Sequence, residues 1–174
     1  MNTPRRQHLQ QLIGATAALA LPSWALAHGD MHKDHHKSAG PVVKEQKPWG
    51  IAAEAKDARR TITIRMSDDM RFAPNHIDVK LGDTLRLRAE NKGKVMHEIV
   101  IGTRAELEAH AEMMKKHPNM EHDEPYMAHV SPGQRGDIVW TFNRAGEFEF
   151  ACLIAGHYQG GMVGTIMVAP AGKA

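Results

Sequence analysis

Apolar and polar residues alternate through most of the chain after residue 60, a pattern typical of strands that bury one face. The predicted strands cover residues 61–66, 77–81, 84–89, 95–101, 137–142, 147–151 and 163–168. The short turn-forming segment Asn-Arg-Ala-Gly at 143–146 separates the predicted strands 137–142 and 147–151. We therefore expect these two strands to form a hairpin. A series of short strands joined by turns indicates an all-β fold, a Greek-key β-sandwich.

One segment between the fourth and fifth predicted strands has the period of a helix instead. Leu107, Ala111 and Met114 recur at helical spacing. Thr103 begins a Thr-x-x-Glu pattern, which is the signature of an N-terminal capping box. We therefore predict one helix, over residues 103–116, inserted between strands of the sandwich.

The first 27 residues have the layout of an export signal. Arg5-Arg6 precedes an apolar run over residues 12–26, and Ala25-Leu26-Ala27 has the small residues of a cleavage site. We expect residues 1–27 to be a signal peptide for export to the periplasm, and the paired arginines resemble a twin-arginine signal. The apolar run is shorter than the roughly 20 residues that span a bilayer, so we expect no membrane insertion.

Composition narrows the partners of the remaining chain. Without residues 1–27 the chain keeps 20 basic and 20 acidic residues, so its formal charge falls from +2 to 0, and nothing favours nucleic acid as a partner. The size of the periodic part fits one domain, which we place at residues 51–174. Residues 28–50 precede it as a flexible tail and linker. Four histidines lie in this tail: His28, His32, His35 and His36.

Candidate chemistry is concentrated in residues 152–162, which hold the only cysteine of the chain. Cys152, His157 and Met162 follow one another at intervals of five between two predicted strands. An unpaired cysteine in an exported protein can form an intermolecular disulfide, stay inert in the core or bind a metal. Two imidazoles and a thiolate with a weak thioether ligand form an electron-transfer copper site. His97, at the start of an apolar strand, is the candidate for the second imidazole.

These residues resemble the cupredoxins, the family of plastocyanin, azurin and rusticyanin. The spacing Cys-x4-His-x4-Met is closest to the rusticyanin pattern, and Met-Arg-Phe-Ala-Pro at 70–74 with Gly-Asp at 82–83 is similar to the family's early strands and turn. The resemblance covers residues 61–169. The sequence Ala-Gly-Glu-Phe-Glu-Phe-Ala-Cys at 145–152 is most similar to that of the small exported cupredoxins associated with bacterial copper tolerance.

The resemblance implies a cupredoxin-like sandwich with one type 1 copper. The ligands it implies are His97, Cys152, His157 and Met162. The chain departs from the pattern at Glu98, where many relatives have Asn or Ser to hydrogen-bond toward the cysteine loop. Because outer hydrogen bonds tune a metal site, this departure bears on the potential and the colour of the copper.

Counting ligands excludes two other kinds of copper centre. A dinuclear centre of the respiratory-oxidase type needs two cysteines, and the chain has only Cys152. The trinuclear cluster of a multicopper oxidase needs a His-Cys-His pattern, whereas Cys152 is flanked by Ala151 and Leu153. Zinc also binds cysteine and histidine, but it has little use for a methionine at position 162.

The expected function is copper tolerance through redox-active copper binding, by a monomeric protein that binds copper ions and has no catalytic residues. The alternative is a one-electron carrier that docks a redox partner protein and has no role in copper tolerance. A tolerance protein would have collecting sites for copper outside the sandwich. The candidates are the histidine-rich tail, which otherwise is a solvated polar segment, and the Met and His residues over 113–129, whose methionines otherwise fill irregular packing under a long loop.

Overall fold

The alternating residues form two sheets whose apolar faces pack together, in a computed structural model that describes residues 42–118, 120 and 122–170. The elements in chain order are β1 (Gln46–Lys47), β2 (Gly50–Ala52), a 3-10 turn (Ala55–Asp57), β3 (Arg60–Ser67), β4 (Arg71–Ala73), β5 (His76–Lys80), β6 (Thr84–Asn91), β7 (His97–Gly102), α1 (Arg104–Lys116), β8 (Met127–Val130), β9 (Arg135–Thr141), β10 (Gly146–Ala151) and β11 (Val163–Ala169).

The first sheet has the strand order β1-β2-β9-β6-β3-β4, and the second has the order β5-β11-β10-β7-β8. Two neighbouring pairs are parallel, β3 with β6 and β5 with β11. The other paired strands run antiparallel. The expected fold class, a Greek-key β-sandwich with one helix, is confirmed.

The core between the sheets follows from the alternation. Along β6 every second residue is buried, so that Leu85 and Leu87 are almost completely removed from solvent. Burying one such side chain stabilises the fold by roughly 1.5–3 kcal/mol. Phe150 of β10 lies opposite Gly164 of β11, where a Cβ would stand 2.2 Å from the Phe150 ring. The glycine therefore makes room for the aromatic ring.

The predicted hairpin over residues 137–151 is wrong. β9 pairs with β2 and β6 in the first sheet, whereas β10 pairs with β7 and β11 in the second. The connection between them crosses from one sheet to the other. Trp140 and Phe142 before it and Phe148 and Phe150 after it all belong to one core cluster. A short turn flanked by inward-facing aromatic residues fits such a crossing as well as it fits a hairpin.

The sandwich also begins earlier than residue 51, where the sequence analysis placed its boundary. β1 and β2 bracket Trp49, which is only 3% exposed and whose carbonyl accepts a hydrogen bond of 3.2 Å from Trp140 Nε1. Strands of two or three residues are too short to show an alternation, so the sequence pattern did not reveal them. The predicted signal peptide and the four tail histidines lie outside the described residues.

The helix occurs where it was predicted. Thr103 Oγ1 accepts from Glu106 N–H at 3.4 Å and the Glu106 carboxylate accepts from Thr103 N–H at 3.3 Å, which completes the capping box. Leu107, Ala111 and Met114 pack in a cluster with Val100 of β7. The helix thus covers the outer face of the second sheet, and it leaves every residue of β7 buried. Within the described ranges no helix has the length and apolar character needed to cross a membrane.

Candidate metal centre

Three of the predicted ligands come together at one end of the second sheet. His97 is the first residue of β7, Cys152 directly follows β10, and His157 lies in the turns between β10 and β11. β7 and β10 are antiparallel neighbours, with Ala151 opposite Val100, so the start of one strand lies beside the end of the other. The ligand atoms of the three residues all lie within 4.8 Å of one another.

Backbone hydrogen bonds close the segment 152–162 into a compact loop. Cys152 N–H donates to Met162 O at 3.1 Å, and Met162 N–H donates to His157 O at 3.1 Å. Gly156 and Gly161 both have φ of +90°, a conformation that is costly for any residue with a Cβ. The loop that carries Cys152 and His157 is therefore shaped by its own backbone.

Asp68 fixes the orientation of the His97 ring. Its Oδ1 lies 3.1 Å from His97 Nε2, and since a carboxylate only accepts, the proton is on Nε2 and the lone pair on Nδ1. A hydrogen bond from the Lys94 backbone, reinforced by His97, holds the pKa of Asp68 below its usual range. His97 Nδ1 is buried and has no hydrogen-bond partner in the part of the chain that the structure describes. It is the atom available for a metal.

His157 presents its Nδ1 to the same point. This nitrogen lies 3.2 Å from Cys152 Sγ, and the two histidine rings are 5.1 Å apart between centroids. Burial, and then the proximity of His97, lowers the pKa of His157. The ring is therefore neutral at physiological pH, which is the form that binds metals. His157 is half-buried, whereas His97 and Cys152 are fully buried.

The thiol of Cys152 carries a proton until a cation displaces it. Burial, followed by the charge of Glu98, raises its pKa to about 12, while a hydrogen bond from Glu98 N–H to Sγ at 3.4 Å acts in the opposite direction. A bound metal ion deprotonates a coordinating thiol outright. Two imidazoles and a thiolate in a largely buried position suit copper, and the same donors also occur in zinc sites.

Comparison with known proteins decides between these metals. Residues 59–169 match the model of the copper-binding proteins of the plastocyanin/azurin family. The chain belongs to this family. Its metal is therefore copper, and the group His97, Cys152 and His157, which we call the copper centre, could hold it.

Curated relatives and a solved structure agree with this assignment. The chain is 45% identical over 141 residues to the copper-resistant cuproprotein CopI of Rubrivivax gelatinosus, covering 81% of this chain and 82% of that protein. It is 34% identical over 151 residues to CopI of Pseudomonas aeruginosa, covering 70% and 83%. Dithionite-reduced auracyanin from Roseiflexus castenholzii matches 65% of this chain and 99% of its own with a TM-score of 0.55 at 24% identity, a likeness of fold.

Met162, the remaining predicted ligand, ends the loop of the copper centre. Its side chain is completely buried and belongs to the same core cluster as Cys152. Its backbone bonds both to Cys152 and to His157, as described above. The role of its sulfur as a copper ligand stays a prediction.

Asp68 was missed in the sequence because it carries no motif. It lies in the turn between β3 and β4, where an aspartate is ordinary. In the structure Gly93 approaches Asp68 closely, since a Cβ at position 93 would stand 1.9 Å from Asp68 Oδ1, but a glycine 25 positions away does not reveal this contact in the sequence.

In the segment after β7 the methionines and the histidines occupy different environments. Met114 and Met127 are buried in the cluster under α1, as expected of methionines that fill packing. The histidines, in contrast, gather. The ring centroids of His110 and His122 are 4.6 Å apart, and those of His122 and His129 are 6.3 Å apart. We call these three residues the second histidine group.

Proposed function

We propose that this protein is a periplasmic type 1 copper protein that contributes to copper tolerance through redox-active copper binding. The observation that carries the proposal is the convergence of the ligand atoms of His97, at the start of β7, with those of Cys152 and His157, which lie on a loop shaped by its own backbone. The relatives named copper-resistant cuproproteins support the tolerance role. The export signal predicted from the sequence of residues 1–27 supports the location.

In this proposal His97, Cys152 and His157 would hold the copper, and Met162 would supply a weak thioether ligand. A trigonal set lies between the tetragonal preference of Cu(II) and the tetrahedral preference of Cu(I), so bound copper would exchange one electron with little rearrangement. The protein's part is to hold the donors in place and keep water out. Because His157 is half-buried, electrons would enter and leave at its edge, and no residue is assigned a catalytic role.

Copper titration and copper growth assays test this proposal directly. Purified protein lacking residues 1–27 should bind copper and show an intense visible band from thiolate-to-Cu(II) charge transfer. Deletion of the gene should lower growth on copper, and the full chain should restore it. A colourless Cu(II) form with an intact thiol would reject the type 1 assignment. Normal growth of the deletion strain on copper would leave the one-electron carrier as the function.

A second candidate function is the collection of copper outside the centre, and the second histidine group is the observation that favours it. The Nε2 of His110 and both ring nitrogens of His122 are buried without a hydrogen-bond partner among the described residues. Buried polar atoms of this kind call for an explanation such as a bound ion. The histidine-rich tail is the other candidate collector, since imidazoles bind Cu(II) well.

Two variants separate collection from carriage. One lacks residues 28–41, keeps residues 1–27 for export and continues from residue 42, because Gln46 of β1 donates to Gly50 O at 2.9 Å and has to be kept. The other carries His122→Gln. If copper is collected, each variant keeps the visible band but takes up less copper beyond the first equivalent, and cells carrying it grow less well on copper. Unchanged stoichiometry and unchanged growth in both variants would reject collection.

A further inference from the structure

Glu98 is a fully buried carboxyl group beside the copper centre. It is 0% exposed, and every other residue of β7 is also buried. Burying a carboxylate is unfavourable unless it is hydrogen-bonded or paired. The position therefore needs partners. Among the described residues Glu98 Oε1 has a hydrogen-bond donor, whereas Glu98 Oε2 has a close ion-pair contact but no hydrogen bond.

The first oxygen binds the loop that carries the cysteine. Glu98 Oε1 accepts a hydrogen bond of 2.8 Å from the N–H of Leu153, the residue that follows Cys152. The Glu98 backbone N–H also lies 3.4 Å from Cys152 Sγ as a donor. One residue thus holds the sulfur with its main chain and the next peptide with its side chain, which restricts the cysteine from two sides.

The second oxygen reaches the neighbouring strand. Glu98 Oε2 lies 2.9 Å from Nε2 of His129, its direct partner in the pairing of β7 with β8. His129 belongs to the second histidine group, so the carboxylate lies between that group and the cysteine loop. This contact with His129 has ion-pair distance but is not a hydrogen bond. The hydrogen bond that suits Glu98 to fixing a geometry is the one from Leu153 N–H to Oε1, because hydrogen bonds to a charged group are shorter and stronger than neutral ones.

We propose that Glu98 is a positioning residue of the copper centre, one that fixes the start of the cysteine loop through Leu153 N–H while His129 holds its carboxylate in place. This inference rests on the proposed copper function. It assigns a role to the position where the sequence departs from the Asn or Ser of many cupredoxins. It also links β8 to the metal ligands.

Charge gives the proposal a signature that a purely structural role lacks. A carboxylate near the sulfur would favour the more highly charged Cu(II) over Cu(I) by Coulomb attraction. The attraction between a buried carboxylate and a buried metal ion is screened little by solvent. Glu98→Gln keeps a carbonyl oxygen that can accept from Leu153 N–H but removes the charge. We expect it to retain the visible band and raise the reduction potential. Glu98→Ala removes both, and the band should shift and broaden.

Hydrogen exchange of the metal-free protein tests the positioning without any copper. In Glu98→Ala the Leu153 amide should exchange about tenfold faster or more, because it loses a hydrogen bond to a charged acceptor. In Glu98→Gln its exchange should stay close to that of the unmodified protein. His129→Gln should change Leu153 exchange in the same direction as Glu98→Ala but by less, since it only loosens the carboxylate.

Glu149→Gln is the matched control. Glu149 is also a buried carboxylate of the second sheet, 5% exposed, but it pairs with Arg104 at 2.7 Å. It should leave the band, the potential and Leu153 exchange unchanged.

The proposal is overturned if Glu98→Gln leaves the potential unchanged, or if Glu98→Ala lowers stability while Leu153 exchange stays as it was. Should Glu98→Ala fail to fold, Glu98→Gln and His129→Gln still decide. If the unmodified protein gave no visible band, the copper function would fail, and Leu153 exchange would still test the role of Glu98.

Discussion

The copper centre and the second histidine group both bring imidazole rings together, but different things hold the rings. At the centre, Asp68 fixes one ring, and backbone hydrogen bonds fix the loop of the other. The histidines of the second group come from the helix, from the segment after it and from β8. Within the described residues, only the centre brings three ligand atoms within 4.8 Å.

The difference teaches that gathered histidines alone do not make a prearranged site. A ring contributes a ligand only when its lone pair points to the metal, and a hydrogen bond on the opposite nitrogen is what sets that direction. His97 has such a bond, whereas both ring nitrogens of His122 lack one among the described residues. We therefore expect tight binding at the centre and weaker, adaptable binding at the second group.

Cys152→Ser should have the largest effect on the comparison. It removes the thiolate, so the visible band should disappear completely, as measured by absorption after addition of Cu(II). The matched change in the other region, His122→Gln, should leave the band intact. Loss of the band in both variants would mean that the two regions are not separate.

Asp68→Ala should make the centre more like the second group by freeing the His97 ring. Removing an outer partner of a metal-binding histidine typically costs about 10–100-fold in metal affinity, and we expect a loss of this size in competition titrations. Asp69→Ala is the control, because Asp69 is the adjacent exposed carboxylate and contacts Ser67 instead. Equal losses in the two variants would contradict the role of Asp68.

Met162→Leu should alter the centre without emptying it. Leucine keeps much of the volume, so the fold should tolerate the change at a cost below about 1.5 kcal/mol. Removing a weak donor to Cu(II) disfavours the oxidised form, and the reduction potential should rise in voltammetry while copper stays bound. Met167→Leu, at a methionine that is 37% exposed, should not move it. An unchanged potential in Met162→Leu would reject the axial assignment.

The smallest expected effect is on the pH dependence of stability. Burial, and then nearby His122, lowers the pKa of His110, and burial likewise lowers that of His157. Below about pH 6.5 the unfolded chain takes up protons that the folded chain refuses. The free energy of unfolding of the metal-free protein should therefore fall as the pH is lowered from 7 to 5 in urea titrations.

His110→Gln isolates the contribution of the second histidine group to this acid sensitivity. The variant should lose part of the pH dependence, and the part due to His157 should remain. His76→Gln is the control, because His76 lies on the exposed face of β5 beside Asp78. An identical pH dependence in His110→Gln and the unmodified protein would contradict the lowered pKa of His110.

Much of the fold could be predicted because its strands each bury one face, and an alternation of residues records that directly. Three members of the copper centre could be predicted because Cys152 and His157 share a short loop and His97 starts an apolar strand. Contacts between distant segments leave no such record. The second histidine group brings together residues 110, 122 and 129. Asp68 contacts His97 across 29 positions of the sequence. Which sheet each strand beside residues 143–146 joins depends on its pairing with other, distant strands.

The burial of Cys152 has a consequence for the lifetime of the protein before it meets copper. Thiol–disulfide exchange proceeds through the thiolate and requires access to the sulfur, and Cys152 is 0% exposed with its pKa raised to about 12. Small oxidants and other proteins therefore react slowly with it. Under the export proposed above, the burial of Cys152 would keep the chain competent to take up metal in an oxidising compartment.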